Sequence, residues 1–337
     1  MTERELIRRL QNRLPIADNR HYELTIGDDA AIRVNETAGE RLIITADVSV
    51  ESVHFSLDTM TFEEIGYRSM VANLSDCAAM GALPDSAIVQ LVFPKKRANG
   101  NDTDINESIE RIYDGFARAC ARWNFPIIGG DLSRGDSWII GITLIGAVPP
   151  TARPVKRTGI VDGDALWMTG TPGKSAAGLA CLQHWGRENI PARYQQFAGA
   201  HISPIPKISE GVSFAACKHV HAMMDLSDGL SKDVAALCSD NSLGFIFDKD
   251  LQPGMDMINL STELTRDWRD WFYHGGEEYE LLVACDSAFD LRGAVDNVDI
   301  TRLGRFTSKL SGMFVQGDDG GMEELSSRGW DHIRNEL

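Results

Sequence analysis

The 337-residue chain reads as an α/β protein of two domains, and three observations carry that reading. Its length exceeds what one ordinary core serves and suits about two, each burying its own apolar layer. Apolar, β-prone runs alternate with stretches whose hydrophobic residues recur at three- and four-residue steps, so strands and helices interleave along the chain. Pro149-Pro150-Thr151-Ala152-Arg153-Pro154 interrupts both patterns and reads as a linker, which divides the chain into residues 1–150 and 151–337.

Taken in order, Thr2-Glu3-Arg4-Glu5 has capping-box spacing and Leu6, Ile7, Leu10 and Leu14 recur at helical intervals, so the chain is expected to open with an amphipathic packing helix. Residues 42–45 read as a strand delivering Asp47 to an edge, and Thr61-Phe62-Glu63-Glu64 caps a helix running to about residue 80. Asp76 follows Ile65 on that helix by about three turns, which puts it on the inner stripe with Ile65, Ser69 and Ala72. A carboxylate there needs a cation, a hydrogen-bond network or a helix terminus to offset its burial. Residues 87–94 form a continuous apolar strand, and Ile109, Ile112, Tyr113, Phe116, Cys120 and Trp123 mark the most regular helix. Residues 125–129 lead as a strand into Gly130-Asp131, and 138–148 are a long apolar strand suited to a sheet covered on both faces or to a subunit interface.

In the second half, strands are expected at 165–168, 219–224, 245–248, 301–306 and 313–316. Helices are expected at 175–185, after Pro204-Ile205-Pro206, at 231–238 and at 264–272. His274-Gly275-Gly276-Glu277-Glu278-Tyr279-Glu280 sets acid at the mouth of a further strand, and no fixed-period repeat or low-complexity segment occurs.

Hydrophobic residues make up 43% of the chain and charged residues 24%, ordinary for a soluble globular protein. The opening Met1-Thr2-Glu3-Arg4-Glu5 is too charged for a secretory leader and no apolar run approaches bilayer length, so a cytoplasmic protein without a membrane partner is expected. Six cysteines without a C-x-x-C pair read as buried free thiols. A formal net charge of −16 disfavours nucleic acid as a partner, since binding it rests on Lys and Arg at the phosphates. A smaller phosphate ligand would need divalent cations, because a carboxylate cluster that repels a nucleotide when empty attracts one when loaded with Mg²⁺.

Gly27-Asp28-Asp29-Ala30-Ala31, Ile44-Thr45-Ala46-Asp47, Asn73-Leu74-Ser75-Asp76, Gly129-Gly130-Asp131 and Asp225-Leu226-Ser227-Asp228-Gly229 each set aspartate beside glycine, serine or threonine. Any one of them could be an ordinary turn. Together they point to one shared hard-cation site, where carboxylates coordinate, hydroxyls add neutral oxygens and glycine lets backbone approach. Histidine and cysteine are not clustered as for zinc, no serine carries a nucleophile-elbow setting, and the 225–229 stretch lacks the ligand spacing of a calcium loop. Thr169-Gly170-Thr171-Pro172-Gly173-Lys174-Ser175 looks like a P-loop, but G-x-x-x-x-G-K-S needs glycine where Met168 stands, so it reads as a tight turn before a helix.

The ordered series formed by these segments, with His54-Phe55, Thr169-Gly170-Thr171-Pro172-Gly173 and Gly275-Gly276-Glu277-Glu278-Tyr279-Glu280-Leu281, resembles the thiamine-monophosphate kinase family over nearly the whole chain. The wider superfamily, with aminoimidazole ribonucleotide synthetase and selenophosphate synthetase, shares the fold and the acidic nucleotide site. The stretches at 73–82 and 275–281 are similar to the thiamine enzyme's in particular. The resemblance implies an α/β (α+β) fold whose N-terminal mixed sheet with helices forms a barrel in a homodimer, and whose C-terminal α/β domain completes the active site. Residue by residue it implies that Asp29, Thr45, Ala46, Asp47, Asp76, Asp131, Asp225 and Asp228 hold several Mg²⁺ ions. It implies likewise that Gly130, Asp131, Arg157 and Ser227 contact ATP, and that His54, Glu277 and Trp330 hold the thiamine phosphate. Ala46 stands where the family often has threonine, leaving a backbone carbonyl as the ligand, and Glu278 replaces the usual aspartate, lengthening an acid beside the substrate contact.

Phosphoryl transfer asks for in-line positioning and charge neutralisation more than for a covalent protein group. The expected activity is therefore direct transfer from ATP to thiamine monophosphate, giving thiamine diphosphate and ADP, with no catalytic base or nucleophile and no phosphoenzyme through His54. The residues leave open another ATP-dependent synthetase of the same superfamily and a Mg-nucleotide sensor without turnover.

Overall fold

The computed structural model describes residues 2–11, 21–35, 40–95, 105–316 and 321–333. Among them two sheets form. The first contains β1 (Tyr22–Leu24), β2 (Ala31–Asn35), β3 (Glu40–Val50), β4 (Leu83–Pro94), β5 (Ile127–Gly135) and β6 (Ile139–Ala147), in the order β1-β2-β3-β6-β4-β5. It is mixed: β6 runs antiparallel to both β3 and β4, and β5 runs parallel to β4 at one edge. The second contains β7 (Ala165–Thr169), β8 (Val220–Leu226), β9 (Gly244–Phe247), β10 (Glu280–Cys285), β11 (Ile300–Thr307), β12 (Met313–Gln316) and β13 (Met322–Glu324), in the order β13-β12-β9-β11-β7-β10-β8.

Helix α1 (Glu3–Gln11) opens the chain where the capping box predicts it; Leu14 lies outside the described residues. The helix joining everything is α2 (Phe62–Ala79). Its capping box is made: the Glu64 N–H donates to the Thr61 hydroxyl, and the Thr61 N–H donates to the Glu64 carboxylate at 2.8 Å. The helix packs on β3 and β6, on α3 (Ile105–Trp123), and on α6 (Ile208–Ala216) and β8 from the second half. Apolar residues therefore surround it rather than forming one stripe. Its crossing with α3 is close because both helices carry glycine there: a Cβ on Gly66 would lie 2.0 Å from the Ile112 carbonyl oxygen, and one on Gly115 2.0 Å from that of Glu63. One continuous core accordingly holds Ile65, Met70 and Leu74 together with Trp167, Phe214, Met223 and Leu281. A second core lies between the second sheet and α7 (Leu230–Asn241), and a third joins α4 (Lys174–Trp185), α5 (Gln195–Ile202) and α8 (Met255–Leu264).

Several expectations need correcting. The strand expected to end before Asp47 continues through it as β3, and the one expected to stop at Gly129 carries Gly130 and Asp131 inside β5. The helix expected at 264–272 starts later, as α9 (Trp268–His274), and α8 before it, which was not expected, ends at Leu264 where Thr265 turns left-handed at φ 52°. Strand β6 is covered on one face: Ile140, Ile142 and Leu144 are buried against the helices, and the alternate residues are half-exposed. On the same open side Val48 is 53% exposed, and on the edge strand β5 Ile128 and Leu132 are 59% and 55% exposed. All six cysteines are free, Cys120 and Cys217 half-buried and the others buried. No helix among the described residues is long and apolar enough to cross a membrane.

Candidate active site

Four segments deliver carboxylates to one cleft. The turn before β2 brings Asp28 and Asp29, β3 brings Asp47 on the face it shares with Thr45, α2 brings Asp76, and the end of β8 brings Asp225. One carboxylate oxygen from each of Asp29, Asp76 and Asp225 lies within 4.8 Å of the others. The cleft, about 530 Å³, is also lined by Thr45, Ala46, Asp47, Arg157 and Ser227. Asp76 is open to it because it and Ala72, one turn earlier, are the less covered positions of an otherwise buried stripe of α2.

Neighbouring side chains hold the acids in place. The Thr45 hydroxyl donates to Asp76, the Ser75 hydroxyl donates to Asp225 at 2.8 Å, and Asn73 accepts the Asp47 N–H at 3.2 Å. Asp233, in the first turn of α7, accepts the N–H groups of Ser227 and Asp228 at 3.2 and 3.1 Å and folds that loop back on its helix. Arg157 pairs with Asp28 at 3.2 Å and with Asp29. Asp228 stands at the rim in an ion pair with Lys232 at 2.8 Å.

Burial, and then the charges of neighbouring aspartates, push the carboxyls of Asp76 and Asp225 well above the usual range. Burial also raises Asp47, with the nearby Asp228 adding to it, and lifts Asp29 to about 6 against the opposing pull of Arg157. Asp29 keeps one buried carboxylate oxygen, Oδ2, without a hydrogen-bond partner. An all-oxygen donor set with surplus negative charge and an unsatisfied acceptor fits a hard divalent cation such as Mg²⁺.

A second group of side chains is tied to the 225–228 loop. The Trp330 N–H donates to the Asp228 carbonyl at 3.1 Å and the Glu277 N–H to the Ser227 carbonyl at 2.6 Å. Trp330 and Glu277 are thus held on the loop whose Asp225 and Ser227 line the acidic cleft. The Trp330 and His332 rings lie 5.4 Å apart, and those of His332 and His54 5.2 Å apart, so three rings follow one another here. Glu277 pairs with Arg68 at 2.8 Å. Within the single chain, Gly130 and Asp131 do not line the acidic cleft. They sit on exposed β5, three strands from β3 and roughly 14 Å away at ordinary strand spacing, where Asp131 accepts the Ser133 hydroxyl at 2.6 Å.

Residues 27–148 match the family model of the AIR synthase related protein N-terminal domain, and residues 161–310 that of its C-terminal domain. The chain is 32% identical over 321 residues to a thiamine-monophosphate kinase of Escherichia coli strain K12, covering 92% of each. It belongs to the thiamine-monophosphate kinase family. The Bacillus subtilis member is 27% identical over 321 residues, covering 93% of this chain and 94% of its own. Among solved structures, AaThiL complexed with AMPPCP and TMP is 27% identical with a TM-score of 0.82, covering 98% of this chain and 97% of that one. The hydrogenase maturation protein HypE of E. coli, 17% identical with a TM-score of 0.68 over 97% of this chain and 98% of that one, shares the fold.

Two departures from the family pattern have different consequences here. Ala46 lines the cleft with no side-chain oxygen to offer. Glu278 was expected beside the substrate contact, and the structure corrects this: its buried carboxylate accepts the Ser175 N–H at 3.0 Å and so caps α4. Burial raises it to about 8. The turn that looks like a phosphate loop therefore ends in a helix N-terminus already filled by the protein's own carboxyl. Lys232, Asp233 and His332 are contributors that sequence reasoning did not single out, and Asp28, Asn73 and Ser75 stood in the quoted segments without a role of their own. For Asn73 and Ser75 the signal was their place one turn from, and next to, Asp76 on α2.

Proposed function

We propose that this member of the thiamine-monophosphate kinase family transfers the γ-phosphoryl group of ATP directly to the phosphate of thiamine monophosphate, giving thiamine diphosphate and ADP. The observation that carries the reading is one shared loop: Asp225 and Ser227 line the acidic cleft, and the same loop accepts backbone N–H groups from Trp330, at Asp228, and from Glu277, at Ser227. A nucleotide held on the acids and an acceptor held against Trp330 would meet across one short loop, the arrangement in-line transfer needs. The relative complexed with AMPPCP and TMP supports both substrates.

In this reading Asp29, Thr45, Asp47, Asp76, Asp225 and Asp228, with the Ala46 backbone, hold several Mg²⁺ ions. Bound there, Mg²⁺ would neutralise the carboxylates and the polyphosphate together. Arg157, Ser227 and Gly130 contact ATP, and His54, Glu277 and Trp330 hold the acceptor. The acceptor phosphate is ionised at neutral pH, so no side chain has to move a proton or form a covalent intermediate. Residues 1–150 form the metal, nucleotide and dimerisation domain, and 151–337 the domain completing the site. The active form is a homodimer. Its motive is the open sheet side bearing Val48 and the unpaired edge at β5, with Ile128 and Leu132 exposed. A second copy covering that side would bring Gly130 and Asp131 towards its neighbour's cleft. A cytoplasmic location completes the reading. The test is ADP release measured with a series of phosphorylated acceptors: thiamine monophosphate should stimulate it and sugar phosphates should not. Equal response to every acceptor would refute the substrate assignment.

A further inference from the structure

We propose that Arg68 is a positioning residue for the acceptor, a buried cation that fixes the His54 turn and the Glu277 segment to α2. The inference rests on the functional reading of Glu277 and His54 and goes beyond it. Arg68 is 4% exposed, one of the buried residues of α2. Its guanidinium is spent on three segments distant in sequence. Nη1 donates to the His54 carbonyl at 2.9 Å and Nε donates to the His201 carbonyl at 2.8 Å, while Nη2, which makes no hydrogen bond, faces Glu277 Oε2 as an ion pair at 2.8 Å. It therefore ties together the turn after β3, the end of α5 and the 275–280 segment, which belong to opposite halves of the chain.

Two further features make the Glu277 contact more than a generic ion pair. Glu277 and Tyr279 both adopt left-handed backbone, at φ 63° and 54°, although neither is glycine. Such conformations are held only where the surroundings over-determine them, and they gather at ligand sites. The Arg68 guanidinium lies 5.7 Å from the Tyr279 ring centroid, so it braces the strained segment at both residues. Burial alone would push the Glu277 carboxyl up; Arg68 more than offsets this, and the net shift is downward. Glu277 is thus kept ionised and fixed in orientation, as an acceptor for a ring donor or cation of the substrate. A planar fork can donate to two carbonyls while its charge faces a carboxylate, which an ammonium on a flexible stem does poorly.

Arg68→Lys, Arg68→Met and Glu277→Gln, singly and combined, test this by steady-state kinetics with each substrate varied in turn, alongside melting temperatures. The KM for thiamine monophosphate should rise roughly tenfold or more in Arg68→Met, with the KM for ATP unchanged within about twofold. Arg68→Lys, which keeps the charge, should recover part of the loss. Adding Glu277→Gln to Arg68→Met should cost little more than either alone, as for residues acting as one unit. If Arg68→Met does not fold, the Lys variant and its cycle with Glu277→Gln carry the test by the same KM split. Equal rises in both KM values, a fall in kcat alone, or full additivity would overturn the positioning role. A wild-type protein that bound no thiamine monophosphate by calorimetry would overturn the functional reading itself, and this inference with it.

Discussion

Replacing Asp76 by asparagine should make the metal-free protein more stable while destroying its activity. Two carboxylates within 4.8 Å repel by roughly 3 kcal/mol at an effective dielectric near 20, and Asp76 has two such neighbours in Asp29 and Asp225. Shared protons relieve part of this, so the expected gain at neutral pH in a chelator is about 2 kcal/mol. The amide keeps the volume and can still accept from Thr45. The pH dependence has a definite sign. A carboxyl raised on folding contributes stability that is present below its unfolded pKa and lost as pH rises through its folded pKa. For Asp29, raised from 3.8 to about 6, the window lies between those values and the loss is about 3 kcal/mol. Metal-free wild type should therefore melt higher near pH 4.5 than at pH 7 as far as this cluster decides, and Mg²⁺ at pH 7 should restore the difference. Thermal melting with chelator and with Mg²⁺, beside turnover, is the assay. Turnover in Asp76→Asn should fall by about a thousandfold. A variant that melts lower than wild type without metal, yet still gains stability from Mg²⁺, would refute the reasoning.

Other expectations follow from the same geometry. Asp47→Asn and Asp131→Asn should each remove activity with little change in melting, and near-normal turnover in both at ordinary Mg²⁺ would contradict a shared metal site. Light scattering at micromolar concentration should give a dimer, and Leu132→Asp, on the exposed edge, should yield monomers; a monomeric wild type would refute the use of the open sheet side. Trp330→Ala should raise the KM for thiamine monophosphate and spare that for ATP, and the opposite split would move Trp330 out of the acceptor pocket. Glu278→Asp, which shortens the cap on Ser175, should lower stability by about 1 kcal/mol and leave both KM values alone; a changed acceptor KM would return Glu278 to the substrate.

The acids were legible where local periodicity fixes direction. Asp76 could be placed inward because α-helical spacing from Ile65 determines its face, and Thr61 with Glu64 determines where that helix starts. Asp225 could be placed at a strand end from the apolar run before it. Asp131 could not be placed, because glycine beside aspartate looks the same at a strand terminus and within an exposed edge strand. What puts β5 at the edge is its parallel pairing with β4, a long-range choice. Glu278 faces α4 because Glu277 and Tyr279 take left-handed backbone, which no residue type there announces. The break between α8 and α9 falls at Thr265, with neither glycine nor proline to mark it. Arg68 looked like any helical arginine, since its three partners come from segments far apart in the chain.

The central claim is that the γ-phosphoryl group passes directly from ATP to the acceptor phosphate, and γ-labelled ATP chiral at that phosphorus tests it. With thiamine monophosphate and Mg²⁺ the label should appear in thiamine diphosphate, matched by ADP, with inverted configuration at phosphorus. Label found only in inorganic phosphate, or in thiamine diphosphate with retained configuration, would contradict the account.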